Sequence, residues 1–155
     1  MITHQATRQA STPQGQSRTL SLIKRTRPNS APYWVTIGVG REPQDADLAG
    51  TVRREAMEEA GADLHVVMQV LVLTDHHPGG GIAIQHFFLA TLGQMDPARR
   101  TGSEFAKPER GTYEIDRVPF TDNGLAGIDL RPPGLAAYLR ENWAGLAASC
   151  QEQNP

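Results

Sequence analysis

Two long β-prone runs, LHVVMQVLVLTD (64 to 75) and IAIQHFFLATL (82 to 92), flank the turn sequence HHPGGG (76 to 81). Together they predict a long hairpin. Phe87 and Phe88 are adjacent on the second run and so point to opposite faces, so at most one of them can serve a pocket on a given face. Helices are predicted on either side of this run. LAGTVRREAMEEA (48 to 60) reads as a helix, with Asp45 and Asp47 as alternative N-caps, Gly61 as the C-terminal cap and Leu48, Val52, Ala56 and Ala60 as an apolar stripe. Gly50 weakens that helix, and a close backbone approach would account for it. RPPGLAAYLRENWAGLAA predicts a second amphipathic helix opened by prolines. Further strands are predicted at 19 to 24, 33 to 39 and 112 to 120, with a long polar loop over 93 to 111. The order implies an α/β chain with a mixed β-sheet between helices.

At 155 residues the chain has room for one domain, 1 to 155, whose first 18 residues read as a flexible tail or a polar edge hairpin. A net charge of −2 gives no footprint for a nucleic acid duplex or an anionic membrane. Cys150 is the one cysteine, so an intrachain disulfide and a thiolate zinc cluster are both excluded. With neither a signal-peptide core nor an apolar run of spanning length, the expected location is cytoplasmic.

Chemistry concentrates in RREAMEEAG (53 to 61). Glu55, Glu58 and Glu59 sit at i, i+3 and i+4 and share one helix face, where like charges repel. A divalent cation would relieve the repulsion. Mg²⁺ takes oxygen ligands, and carboxylates with phosphate oxygens from a substrate complete such a shell. Arg54, beside Glu55 and four residues before Glu58, can orient a carboxylate by a charge-assisted hydrogen bond. The competing reading is a solvated helix face.

The stretch GVGREPQDADLAGTVRREAMEEAG (38 to 61) resembles the signature box of the Nudix hydrolases: Gly, five residues, Glu, seven residues, then an Arg-Glu and Glu-Glu-x-Gly pattern. Arg54, Glu55, Glu58, Glu59 and Gly61 match its second half, with Ala56 and Ala62 in apolar slots. The first half departs from it. Ile37 stands for Pro, Val39 and Gln44 for Gly and Asp45 for Glu, with one extra residue before Arg54; aligned without a gap, Gly40 takes the box Gly and Ala46 the Glu position. The later segments QHFFLATL, RGTYEIDRVPF and DLRPPGLAAYL also resemble bacterial Nudix proteins, extending the likeness over residues 18 to 145.

The resemblance implies the Nudix-type α/β/α sandwich and hydrolysis of a nucleoside diphosphate linked to another moiety, dependent on Mg²⁺ or Mn²⁺. It implies Glu58 and Glu59 as metal ligands, Glu55 as ligand or general base, Arg54 as the orienting cation and the carbonyl of Gly38 as a further ligand. The base can instead come from a later acid, with Glu104, Glu109 and Glu114 as candidates. The expected partner is a small nucleotide-type substrate, and homodimers are common in the family. A Nudix domain that binds a nucleotide or protein without turnover is the alternative, motivated by Ile37 and Val39.

Other residues carry two readings each. His76 and His77 are exposed turn residues or metal ligands; Tyr33 and Trp34 pack in the core or stack a base. Lys24, Arg25 and Arg27 meet phosphates or form a solvated edge.

Overall fold

In the computed structural model, residues 2–5, 18–38, 43–101 and 111–152 are described. The strands are β1 (Ile2–Gln5), β2 (Thr19–Thr26), β3 (Tyr33–Val35), β4 (Ala62–His76), β5 (Ile82–Met95) and β6 (Thr112–Pro119). The helices are α1 (Leu48–Ala60), α2 (Asp122–Ala126) and α3 (Pro133–Glu152).

One sheet contains all six strands, in the order β3-β2-β1-β5-β4 with β6 also paired to β2. β6 runs antiparallel along β2 from Thr19 to Thr26, while β1 pairs with Thr19 to Ser21 and β3 with Ile23 to Arg25. β1 and β3 therefore follow one another along one edge of β2. β1 is parallel to β5, pairing Ile2 to Leu89, and the remaining ladders are antiparallel, so the sheet is mixed. The segment ITHQ is thus a strand between β2 and β5 rather than a tail or an edge hairpin.

Strand alternation sorts side chains onto two faces. On one face Leu20, Leu22, Phe87 and Leu89 pack with Phe120, Leu125, Leu135 and Leu139, under α2 and α3. On the other, Ile23, Phe88, Ala90 and Leu92 pack with Val52, Ala56 and Ala60 of α1. The predicted split of Phe87 from Phe88 is observed. Ile37, where the Nudix pattern has Pro, is fully buried in the α1-side core.

Helix α1 has the predicted bounds. Asp47 is its N-cap, its carboxylate accepting from Gly50 N–H at 2.7 Å, and Gly61 closes it with φ 61°. A Cβ at Gly61 would lie 1.9 Å from the carbonyl oxygen of Asp96, so glycine is required there for conformation and for space. Gly50 lies close to the N-cap side chain, since a Cβ would sit 3.3 Å from Asp47 Oδ1, and not to a backbone as expected.

Three expectations need correcting. The strand at 33 to 39 stops at Val35, because the chain turns out of the ladder and Gly38 adopts φ 114°. The loop at 93 to 111 begins later, since β5 continues to Met95 and a 3₁₀ turn follows at Pro97–Arg99, capped by Asp96. The short helix α2 was not anticipated.

Candidate functional site

The acidic helix face is organised around one guanidinium. Arg54 Nε and Nη2 meet the two oxygens of Asp45 at 3.0 and 3.1 Å, a bidentate pair. Nη2 also reaches Glu55 Oε1 at 3.0 Å, and Nη1 reaches Glu58 Oε2 at 2.8 Å. Thr51 Oγ1 donates to Asp45 Oδ2 at 3.0 Å from the turn before. The hydrogen bonds to Asp45, together with Glu55 and Glu58, hold the Arg54 pKa above its ordinary value against the opposing effect of burial. Its charge is therefore permanent at any working pH.

Burial grades the four carboxylates. Asp45, Glu55 and Glu59 are 8%, 7% and 6% exposed, while the Glu58 side chain keeps 38%. Glu59 turns towards the loop after β3, where its Oε2 accepts from Gly38 N–H at 2.9 Å. The positive φ of Gly38 thus sits at the point where that loop docks on α1. Thr101 N–H, bonded to the Glu58 carbonyl at 3.1 Å, ties the opposite flank to the end of the helix.

The structure thus brings Arg54 together with Glu55 and Glu58, and Glu59 together with Gly38. Asp45, at a position the sequence marks as a cap or a shortened Glu, is also a partner of Arg54, and its acidity at the position of the first-half Glu is the signal for that role. Among the described residues, no three His, Cys, Asp or Glu side chains converge closely enough to hold a metal ion. Arg54 occupies the space between Glu55 and Glu58 instead. The donor chemistry nevertheless fits a hard divalent cation, because hard oxygen donors gather here, Asp45, Glu55 and Glu58 around Arg54 and Glu59 beside Gly38.

Glu104, Glu109 and Val39 lie outside the described residues. Glu114 pairs across the ladder with Lys24, on the opposite face of β6 from Tyr113. Tyr113 lines the cleft next to Glu59, so strand alternation turns Glu114 away from it. His76 and His77 are exposed at the hairpin turn.

That cleft has a volume of about 490 Å³ and runs from Gly38 and Glu59 past Ile23 and Phe87 to Arg25 and Arg131. Trp34 packs against the α3-side core, and its Nε1 donates to Asp116 at 2.7 Å. Tyr33 stays half-buried, beside Arg25 and Arg131. Lys24 lies over Trp34 on the other face. No helix among the described residues is long and apolar enough to cross a membrane.

The architecture is an α/β fold of the Nudix type. It is similar to a NUDIX hydrolase from Nitrosomonas europaea, with a TM-score of 0.57 and 14% identity over 93% of this chain and 87% of that one. It is also similar to the E. coli ORF135 protein, with a TM-score of 0.53 and 18% identity over 96% of this chain and 91% of the other. A scan against family models finds no match, and neither does a search of curated protein sequences.

Proposed function

We propose that the protein is a divalent-metal-dependent hydrolase that cleaves the diphosphate linkage of a nucleoside diphosphate joined to another moiety. The observation that carries this is the polar cluster on α1: three acids held by Arg54, with a fourth anchoring the glycine loop at the mouth of a nucleotide-sized cleft. Three like charges on one helix face oppose folding, and the ion pairs to Arg54 offset part of that repulsion. A cation binding role explains why the residual negative charge is kept.

Glu58 and Glu59, with Glu55 and the Gly38 carbonyl, would hold Mg²⁺ or Mn²⁺. When bound, the metal neutralises phosphate oxygens and lowers the pKa of an attacking water. Arg54 fixes the carboxylates of Glu55 and Glu58 through directed hydrogen bonds, which limits the reorganisation needed when substrate arrives. Glu59, through Gly38, keeps the loop against the helix. Glu55 serves as the general base where Glu58, Glu59 and the Gly38 carbonyl hold the metal without it, with Glu104 as the alternative acid.

A second reading is a domain that binds its ligand without turnover. It draws support from the ion pairs that Glu55 and Glu58 already make with Arg54 and from the lack of three converging acids among the described residues. A panel of nucleoside diphosphate derivatives, assayed with Mg²⁺ for release of nucleotide or phosphate, separates the two. Turnover that Glu58→Gln/Glu59→Gln loses supports the hydrolase. Silence across the panel, with nucleotide binding retained, supports the binding domain.

A further inference from the structure

The end of the cleft away from the carboxylates is lined by guanidinium groups stacked on tyrosines. Arg25 is the cross-strand neighbour of both Tyr33 and Tyr113, and its Cζ lies 3.7 Å from the Tyr113 ring centroid and 5.9 Å from that of Tyr33. Arg131 covers Tyr33 at 4.3 Å. The result is a row, Arg131, Tyr33, Arg25, Tyr113, in which cation and ring alternate.

Arg131 is set in place by the backbone. Trp34 N–H donates to the Asp129 carbonyl at 2.8 Å and Arg131 N–H donates to the Trp34 carbonyl at 2.9 Å, so residues 129 to 131 are held beside β3 by an isolated parallel bridge at Leu130. Its side chain is fixed twice more. Tyr33 occupies one face of the guanidinium, and Asp129 Oδ2 accepts from both Nε and Nη2, at 3.1 and 2.7 Å.

A guanidinium has two edges that can each grip a pair of oxygens. Asp129 takes the Nε/Nη2 edge. The edge formed by Nη1 and the second Nη2 hydrogen has no partner in these contacts, on a residue more than half exposed at the wall of the cleft. Such a fork, with its plane already set by stacking, matches a phosphate better than a neutral sugar hydroxyl.

We propose that the Arg131 end of the cleft is an anion site that takes a phosphoryl group of the ligand through the Nη1/Nη2 edge of Arg131, with Tyr33 and Asp129 holding that guanidinium in position. Its consequence for a substrate rests on the hydrolase reading: the preferred substrate carries a phosphoryl group at this end as well as the diphosphate met by the carboxylates. The anion site itself does not depend on turnover.

The test is binding under a metal chelator, measured by titration calorimetry with adenosine 5′-monophosphate, ribose 5-phosphate and adenosine. Arg131→Gln is expected to weaken both phosphate esters about tenfold, corresponding to loss of a charge-assisted hydrogen bond, and to leave adenosine unchanged. Arg131→Lys restores only part of the loss, because a point charge lacks the fork and the stack. Because metal is chelated and no turnover is read, failure of the hydrolase reading does not affect this result. Equal weakening of adenosine would show that Arg131 stacks on the base and would overturn the anion site. Unchanged binding of the esters in Arg131→Gln would overturn it as well, and full rescue by lysine would overturn the two-pronged grip.

Discussion

Helix α3 meets its face of the sheet through Leu135 and Leu139, both fully buried, beside Phe120 and Leu125. Helix α1 meets the other face through Val52, Ala56 and Ala60, and it buries Glu55 and Glu59 next to them. The ion pairs around α3, Arg140 with Asp122 and Arg131 with Asp129, are about half exposed and belong to the class that contributes little. Those of α1 are mostly shielded from water, where desolvation offsets much of the attraction. The difference separates two tasks within one sheet. The α3 side supplies stability through large side chains, while α1 uses small ones that sit close to the sheet and spends part of that stability on holding acids at a cleft.

If this division is real, the largest stability effect belongs to the α3 face. Leu139→Ala removes a fully buried side chain and is expected to cost about 3 kcal/mol in urea unfolding, while activity per folded molecule stays within about twofold. A large loss of activity at full folding would break the comparison.

Arg54→Met acts on both properties. Removing this cation leaves Asp45, Glu55 and Glu58 without their ion pairs to it, at a cost of up to about 3 kcal/mol, and activity falls with it. The pH dependence follows from the sign of the Arg54 shift. A folded-state pKa raised above the unfolded one contributes stability that is fully present below the unfolded value and lost only as pH rises through the folded value. The stability gap between wild type and Arg54→Met should therefore show no alkaline loss from this group up to about pH 11. Unfolding curves across that range would reveal a narrowing gap if another group carried the network.

Asp47→Ala removes the N-cap of α1 and is expected to cost about 1 kcal/mol with the proposed metal binding intact, separating the helix as scaffold from the helix as site. Glu114→Gln is the smallest. The side chain is exposed on the face opposite Tyr113, so activity and stability should both stay at wild-type levels, the latter within about 0.5 kcal/mol. A marked drop in activity would return Glu114 to the list of candidate bases.

What could be read from the sequence depended on how local the determinants were. Helix α1 was legible to the residue because its cap, its apolar stripe and its terminal glycine lie within about four turns. The convergence of Arg54 with Glu55 and Glu58 was legible for the same reason, being helix geometry. β1 was not, because polar ITHQ acquires its place only by pairing with β2 and with Leu89 to Thr91 of β5. The shortening of β3 was equally hidden: it follows from the turn at Gly38 and the docking of that glycine on Glu59. Nothing in DLRPPG marks Arg131 as a cleft residue, since its placement depends on backbone pairing with Trp34, distant in sequence.

The central claim is that the acids gathered by α1 hold a divalent cation. The most direct measurement is a calorimetric titration of Mn²⁺ into the wild type and into Glu58→Gln/Glu59→Gln, with circular dichroism confirming that both are folded. The account predicts a saturable site in the wild type that the double variant loses. Equal binding by the two proteins, or none by either, would contradict it.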